Sequence, residues 1–166
     1  MDNLYEQLER VEKSFVYNLV NGFFYAFLFL GILLLMQGKI ILVVLLFAIA
    51  IASFFGKKYL YVEYEYSFIN GIIEIDKIFE MKKRKKVLEL NAKDIELLAA
   101  ENSDFIKDFS NKPTEVKNYF PKLSKNKVYI AMVTGGKSRL QLRFVPDAQF
   151  LEHCRKYNPR AVKKDA

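Results

Sequence analysis

The 166-residue chain contains one cysteine, Cys154, and one histidine, His153. A lone cysteine excludes an intramolecular disulfide and any cysteine-based zinc cluster, and it suits a reducing compartment. The two residues are adjacent on a predicted helix, where neighbours point about 100° apart, so they make a poor nucleophile and base. Cys154 reads as core packing and His153 as a rim residue. A phosphate loop is missing as well. Gly136-Lys137-Ser138 would complete the pattern, but Ala131 stands where the first glycine belongs, and the residues that follow alternate as a strand instead of opening a helix. Gly135-Gly136 is therefore expected to turn a hairpin. Glu63, Glu65, Glu74 and Asp76 fall on polar, solvated sides of predicted strands, with no histidine or second acidic cluster to support metal binding or acid–base chemistry. No catalytic residue, metal or cofactor is expected, and the chain does not read as an enzyme.

Charge is absent from residues 14–38 and 40–56, with only Lys39 between the two runs. A helix needs roughly 20 apolar residues to cross the ~30 Å hydrocarbon core of a bilayer. The first run meets that length, and the second meets it when Tyr59, Leu60 and Tyr61 are counted. Gln37-Gly38-Lys39 leaves room only for a tight reversal, so residues 15–61 are expected to form a two-helix transmembrane hairpin. Lys57 and Lys58 should then sit at the membrane interface and reach for headgroups. No acidic or basic residue lies mid-span, which leaves an ion pathway without side chains to run on. A cleaved signal peptide is not expected, because the first fourteen residues are net acidic and the apolar run is too long. Lys and Arg near the spans favour the side carrying Arg10, Lys13, Lys57 and Lys58 over the loop with Lys39. The positive-inside rule thus predicts a multi-pass protein of the cell membrane with both termini cytoplasmic.

Helix contacts are predicted from small residues at four-residue spacing. Ala48, Ala52 and Gly56 share one face of the second span, and Gly22 and Ala26 share one of the first. They would pack the hairpin against itself or, on the sharper reading, build a homo-oligomer. Residues 1–14 form a cytoplasmic lead-in. Leu4, Leu8 and Val11 have helical spacing there, which predicts either a surface-lying amphipathic segment or an extension of the first span.

After Lys58 the period changes to two. Val62, Tyr64, Tyr66 and Phe68 alternate with Glu63, Glu65 and Ser67, and Asn70-Gly71 marks a two-residue hairpin turn into a strand from Ile72. Residues 82–86 read as a polar break, residues 94–100 as a short strand or turn, and residues 101–126 as irregular, with a short helix near 104–109. Strands over 127–134 and 138–145 follow. Pro146-Asp147 starts a closing helix with Phe150, Leu151, Cys154 and Tyr157 on its apolar face, and Asn158-Pro159 stops it. The fold class is α+β: a domain over 62–158 with an antiparallel sheet and a capping helix, then a basic tail over 159–166.

The two close-set apolar helices, the Tyr-rich strand, Asn70-Gly71, the strand Ile72-Ile73-Glu74-Ile75-Asp76-Lys77-Ile78, the Lys/Arg cluster and Phe144-Val145-Pro146-Asp147 before the last helix carry a resemblance. The chain resembles bacterial membrane proteins of uncharacterised function that join such a hairpin to a pleckstrin-homology-like domain. That likeness implies a bent β-barrel capped by the terminal helix.

Residues 57–166 hold 23 Lys and Arg against 15 Asp and Glu, a net +8, so the basic charge of the chain, +7 in all, belongs to this region. Its densest part is Lys82, Lys83, Arg84, Lys85 and Lys86. At about 3.4 Å per residue the strand after Asn70-Gly71 returns these residues to the level where the chain left the membrane. They are the candidate lipid-binding residues, since anionic leaflets attract such cations by roughly 1 kcal/mol each near the surface. Nucleic acid is not expected, because the aromatics follow strand alternation instead of flanking the basic run. The chain therefore reads as a membrane-anchored, non-enzymatic interaction module for anionic headgroups, a protein partner, or both. The alternative is an accessory subunit of a transporter or other membrane complex, recognised through the hairpin.

Overall fold

The computed structural model describes residues 4–134 and 139–163. Its contacts divide the chain into two units, one of residues 12–62 with 79–82 and one of residues 1–11, 63–78 and 83–166.

In the first unit, Ser14 caps helix α1 (Phe15–Met36), its hydroxyl accepting from Tyr17 N at 3.0 Å. Gly38, at φ +73°, reverses the chain into α2 (Ile40–Lys57). The second helix stops at Lys57, and Tyr59 and Leu60 continue as turns. It is therefore shorter than the span expected to reach Tyr61, because the chain must turn there to enter a strand. The helices meet along Tyr17, Asn21, Phe24, Leu28 and Gly31 on one side and Val43, Leu46, Ala50, Ser53 and Lys57 on the other. Those positions alternate in steps of three and four, the spacing of a left-handed helix seam. Gly31 is needed where the Phe47 ring crosses, since a Cβ there would lie 2.5 Å from Cε1. The packing expected of Ala48, Ala52 and Gly56 is not what forms. All three are exposed, and a Cβ on Gly22 or Gly56 would meet nothing within 4 Å. Residues with the correct seven-residue phase, Gly31 and Ala50 among them, make the seam instead.

The second unit holds two sheets. One runs β1 (Leu4–Glu9), β2 (Val62–Ile69), β3 (Ile72–Phe79) and β4 (Lys83–Asn91) in order. The other has β5 (Ile95–Ala100), β6 (Glu115–Asn118), β7 (Tyr129–Val133) and β8 (Leu140–Phe144) in the order β5-β7-β8-β6. The lead-in is thus a strand, antiparallel to β2 with Tyr5 opposite Phe68 and Glu9 opposite Tyr64. Leu4, Leu8 and Val11 suggested a helix because they are the apolar positions, but the strand's inward side is polar and hydrogen-bonded. Tyr5 donates to Asp147, Gln7 Nε2 donates to Val145 O at 2.8 Å, and Glu9 accepts from Ser124 Oγ at 2.6 Å and Asn126 Nδ2 at 2.9 Å.

Tyr66, Phe68, Phe144 and Phe150 form the main core, with ring centroids 5.6 to 6.2 Å apart. Tyr66 is tolerated there because its hydroxyl donates to Tyr119 O at 2.7 Å. Helix α4 (Ala148–Tyr157) supplies Phe150 and the buried Cys154, and Asp147 caps it by accepting from Phe150 N at 2.7 Å. Within the irregular segment, α3 (Asp104–Lys107) and the following Phe109 bring Ile106 and Phe109 over Leu97, Ala99, Ile130 and Met132, covering the outer side of the second sheet. β6 was not expected, and it pairs parallel to β8, whereas β5 and β8 both pair antiparallel to β7. The basic tail is also tied down in part. Ala161 and Val162 are buried beside β5, with Leu98 N donating to Ala161 O and Lys163 N to Leu98 O, both at 2.9 Å.

Candidate interaction surface

The basic run is not a break between strands. The turn is Glu80-Met81-Lys82, and β4 begins at Lys83. Glu80 and Met81 both have left-handed backbones, φ +51° and +59°, a conformation that costs roughly 1–2 kcal/mol in residues with a Cβ. Something must hold the turn in that shape. Glu80 N donates to Tyr61 O at 3.0 Å. The Glu80 carboxylate accepts from Tyr17 Oη at 2.7 Å and lies 3.8 Å from Lys57 Nζ. Phe79 packs edge-on to Tyr59, with centroids 5.7 Å apart. Charge-assisted hydrogen bonds contribute about 1.5–3 kcal/mol each, enough to offset the strain.

Lys57 is therefore used differently from the expectation. It is 7 % exposed, donates to Asn21 Oδ1 at 2.9 Å and lies over the Phe54 and Phe24 rings at 5.0 and 5.5 Å. Its ammonium is satisfied by protein because Asn21 and Glu80 converge on it, leaving it little reason to extend toward headgroups. Asn21 in turn accepts from Lys57. Lys58 is half-buried, with its ammonium over Tyr59 and Phe55 at 5.0 and 5.8 Å.

Strand alternation then splits the cluster. Arg84 pairs with Glu65 and lies 3.7 Å from Asp76, and Lys86 donates to Glu74 at 2.7 Å and Glu89 at 2.9 Å. These hydrogen bonds hold the Lys86 pKa well above the usual lysine value. Lys83 and Lys85 point the opposite way from Arg84 and Lys86. Among the described residues, Lys82, Lys83 and Lys85 make no ion pair and all are exposed. The five candidate residues thus divide into three cations open to an external anion and two engaged by the domain's own carboxylates.

The acidic strand face is not solvated as expected. Glu63 is 2 % exposed and Glu65 is also buried. Arg10 lies 4.0 Å from Glu63. Burial raises the Glu65 pKa, opposed by the neighbouring Arg84 guanidinium. Among the described residues, no group of three His, Cys, Asp or Glu could hold a metal. Burial pushes the Cys154 thiol up to about 12, leaving it inert at neutral pH. His153 stacks on Tyr5 at 5.3 Å, at the rim of the core. Arg139 leads directly into β8, and the hairpin turn expected at Gly135-Gly136, with Lys137 and Ser138, lies outside the described residues. Two shallow depressions beside α4 share Tyr129, Ala148 and Leu151. Asn21, expected to reach headgroup water at the end of the first span, instead holds Lys57. Tyr17 and Glu80 escaped the sequence reading, and the signal available was a lone acid one residue ahead of a five-cation run.

A family model described as "Bacterial PH-like domain (DUF6106)" matches residues 1–164. The chain belongs to this family. No curated protein and no solved structure matches it. The PH-like reading explains the two stacked sheets and the terminal helix α4, and its match from the first residue agrees with β1 being part of the domain. The helical hairpin lies between two strands of one sheet, β1 and β2. The start of the domain expected at residue 62 falls beside the break between Val62 and Glu63, while β1 adds residues of the expected lead-in to the same unit.

Proposed function

We propose that this PH-like protein is a non-enzymatic interaction module of the cell membrane, anchored by the α1–α2 hairpin, that presents Lys82, Lys83 and Lys85 to anionic headgroups on the cytoplasmic side. The observation that carries the reading is the hairpin's uncovered surface. Only 6 % and 17 % of the most apolar windows of α1 and α2 are buried. A soluble protein would need a partner for that much apolar surface, whereas acyl chains cover it without one. Sheet topology supports two crossings. β1 precedes the hairpin and β2 follows it, yet they pair residue for residue, so both ends of the hairpin must emerge on one side of any bilayer. The lysine count near those ends favours the cytoplasm. The Phe79–Lys82 turn, held at the helix ends through Glu80, supports the placement of Lys82 there.

The test is amine labelling of the full chain in nanodiscs, read by mass spectrometry. Lys82, Lys83 and Lys85 should be protected several-fold more in anionic than in zwitterionic lipid, while Lys112 reacts equally in both. Equal labelling of the three in both lipids would remove the headgroup contact.

A second reading, an accessory subunit recognised through its hairpin, is favoured by Ala48, Ala52 and Gly56 remaining exposed after α1 and α2 have packed. Changing Ala48 and Ala52 to Leu should then abolish co-purification of a membrane partner. Retention of every partner would argue against it.

A further inference from the structure

We infer that Met81 is a wedge that enters the bilayer at the boundary between headgroups and acyl chains, beside the ends of α1 and α2. This rests on the membrane reading and adds a contact which that reading does not require.

Met81 is 57 % exposed at the tip of the β3–β4 turn. Turn chemistry favours glycine, asparagine or aspartate at such left-handed positions. The chain instead presents an unbranched, flexible apolar side chain at φ +59°. The depth of the tip follows from its anchors. Tyr17 is in the first turn of α1 and Lys57 is the last residue of α2, and both engage the preceding residue, Glu80. The turn is therefore level with the helix ends opposite the Gly38 reversal. In a hairpin that crosses a bilayer, those ends lie at the interface, and Met81 lies there with them.

The surroundings have the chemistry of that boundary. Lys13 lies over the Tyr17 and Tyr61 rings at 5.2 and 5.9 Å, Lys58 lies over Tyr59, and Lys82 follows Met81 directly. Tyrosines and basic residues at the ends of apolar helices are the usual interfacial anchors. An exposed methionine among cations faces a surface that is anionic outside and apolar inside. An acidic protein would satisfy the lysines but not the thioether.

The chain has no tryptophan, so single substitutions give lone fluorophores. The full chain is reconstituted in vesicles containing acyl-brominated lipid, as Met81→Trp or Phe29→Trp. Both tryptophans should be quenched several-fold by bromine and shielded from iodide. A quenched Trp at 29 with an unquenched, iodide-accessible Trp at 81 overturns this inference alone. An unquenched Trp at 29 overturns the membrane reading and the wedge together. Because tryptophan itself favours interfaces, the unsubstituted chain is also treated with a charged, membrane-impermeant oxidant. Met81 should oxidise several-fold more slowly than free methionine, and an equal rate overturns the wedge.

Discussion

Gly71 shows two constraints meeting at one residue. Its φ is +91°, and a Cβ there would lie 2.6 Å from the Tyr157 ring. Replacing it with Ala should lower stability by roughly 1–3 kcal/mol, measured as a shifted denaturant midpoint of the detergent-solubilised protein. The core tyrosines and cysteine make a second prediction. Burial raises the Tyr5 pKa to about 12, helped by its hydrogen bond to Asp147, and burial likewise raises Cys154 to about 12 and pushes Tyr64 and Tyr66 upward. The native state thus keeps protons that the unfolded chain releases near its ordinary values of 9.0 for cysteine and 10.0 for tyrosine. Their contribution is complete below those values and is lost as pH rises through the native ones. Stability should fall steadily from about pH 9 to 12, with tyrosinate absorbance rising cooperatively as the fold opens. Independent titration of all tyrosines near their ordinary pKa would contradict this burial.

At the scale of elements, local chemistry was readable where the chain's own neighbours decide the outcome. Asn70-Gly71 turned as its residue types require, Asp147 capped the closing helix, and the change of period after Lys58 marked β2. Elements decided by distant partners were not readable. β1 hides its pairing side in Tyr5, Gln7 and Glu9, which no hydrophobic count finds. β6 is four residues with an exposed Val116, and only β8 beside it makes it a strand. In the hairpin, small-residue spacing pointed to Ala48 and Ala52, while seven-residue phase selected Val43, Ala50 and Lys57. In the basic run the residues were visible, but the division between engaged and open cations depends on which side of β4 each faces. The Glu80 clamp belongs to this scale too. Tyr17→Phe removes one donor to a carboxylate and should loosen the strained turn by about 1–3 kcal/mol. Backbone hydrogen exchange at 79–82 should then quicken about tenfold or more, with little change at Tyr66 and Phe68; unchanged exchange would show that the clamp does not hold the turn.

For the whole molecule, the decisive feature is a helical hairpin inserted between two strands that pair with each other. On the proposed membrane reading, that arrangement ties the fold of the PH-like unit to two crossings, since β1 and β2 cannot pair across a bilayer. The apolar runs made the hairpin evident, but the discontinuity of the domain was hidden because β1 resembles a helix in its apolar spacing. Cysteine accessibility in intact cells tests the membrane account most directly, with the buried Cys154 as a silent background. Lys39→Cys in the hairpin reversal should react with a membrane-impermeant maleimide from outside, while Val116→Cys should react only after lysis. Labelling of Val116→Cys in intact cells, or recovery of the protein as a soluble species after lysis without detergent, would contradict the account.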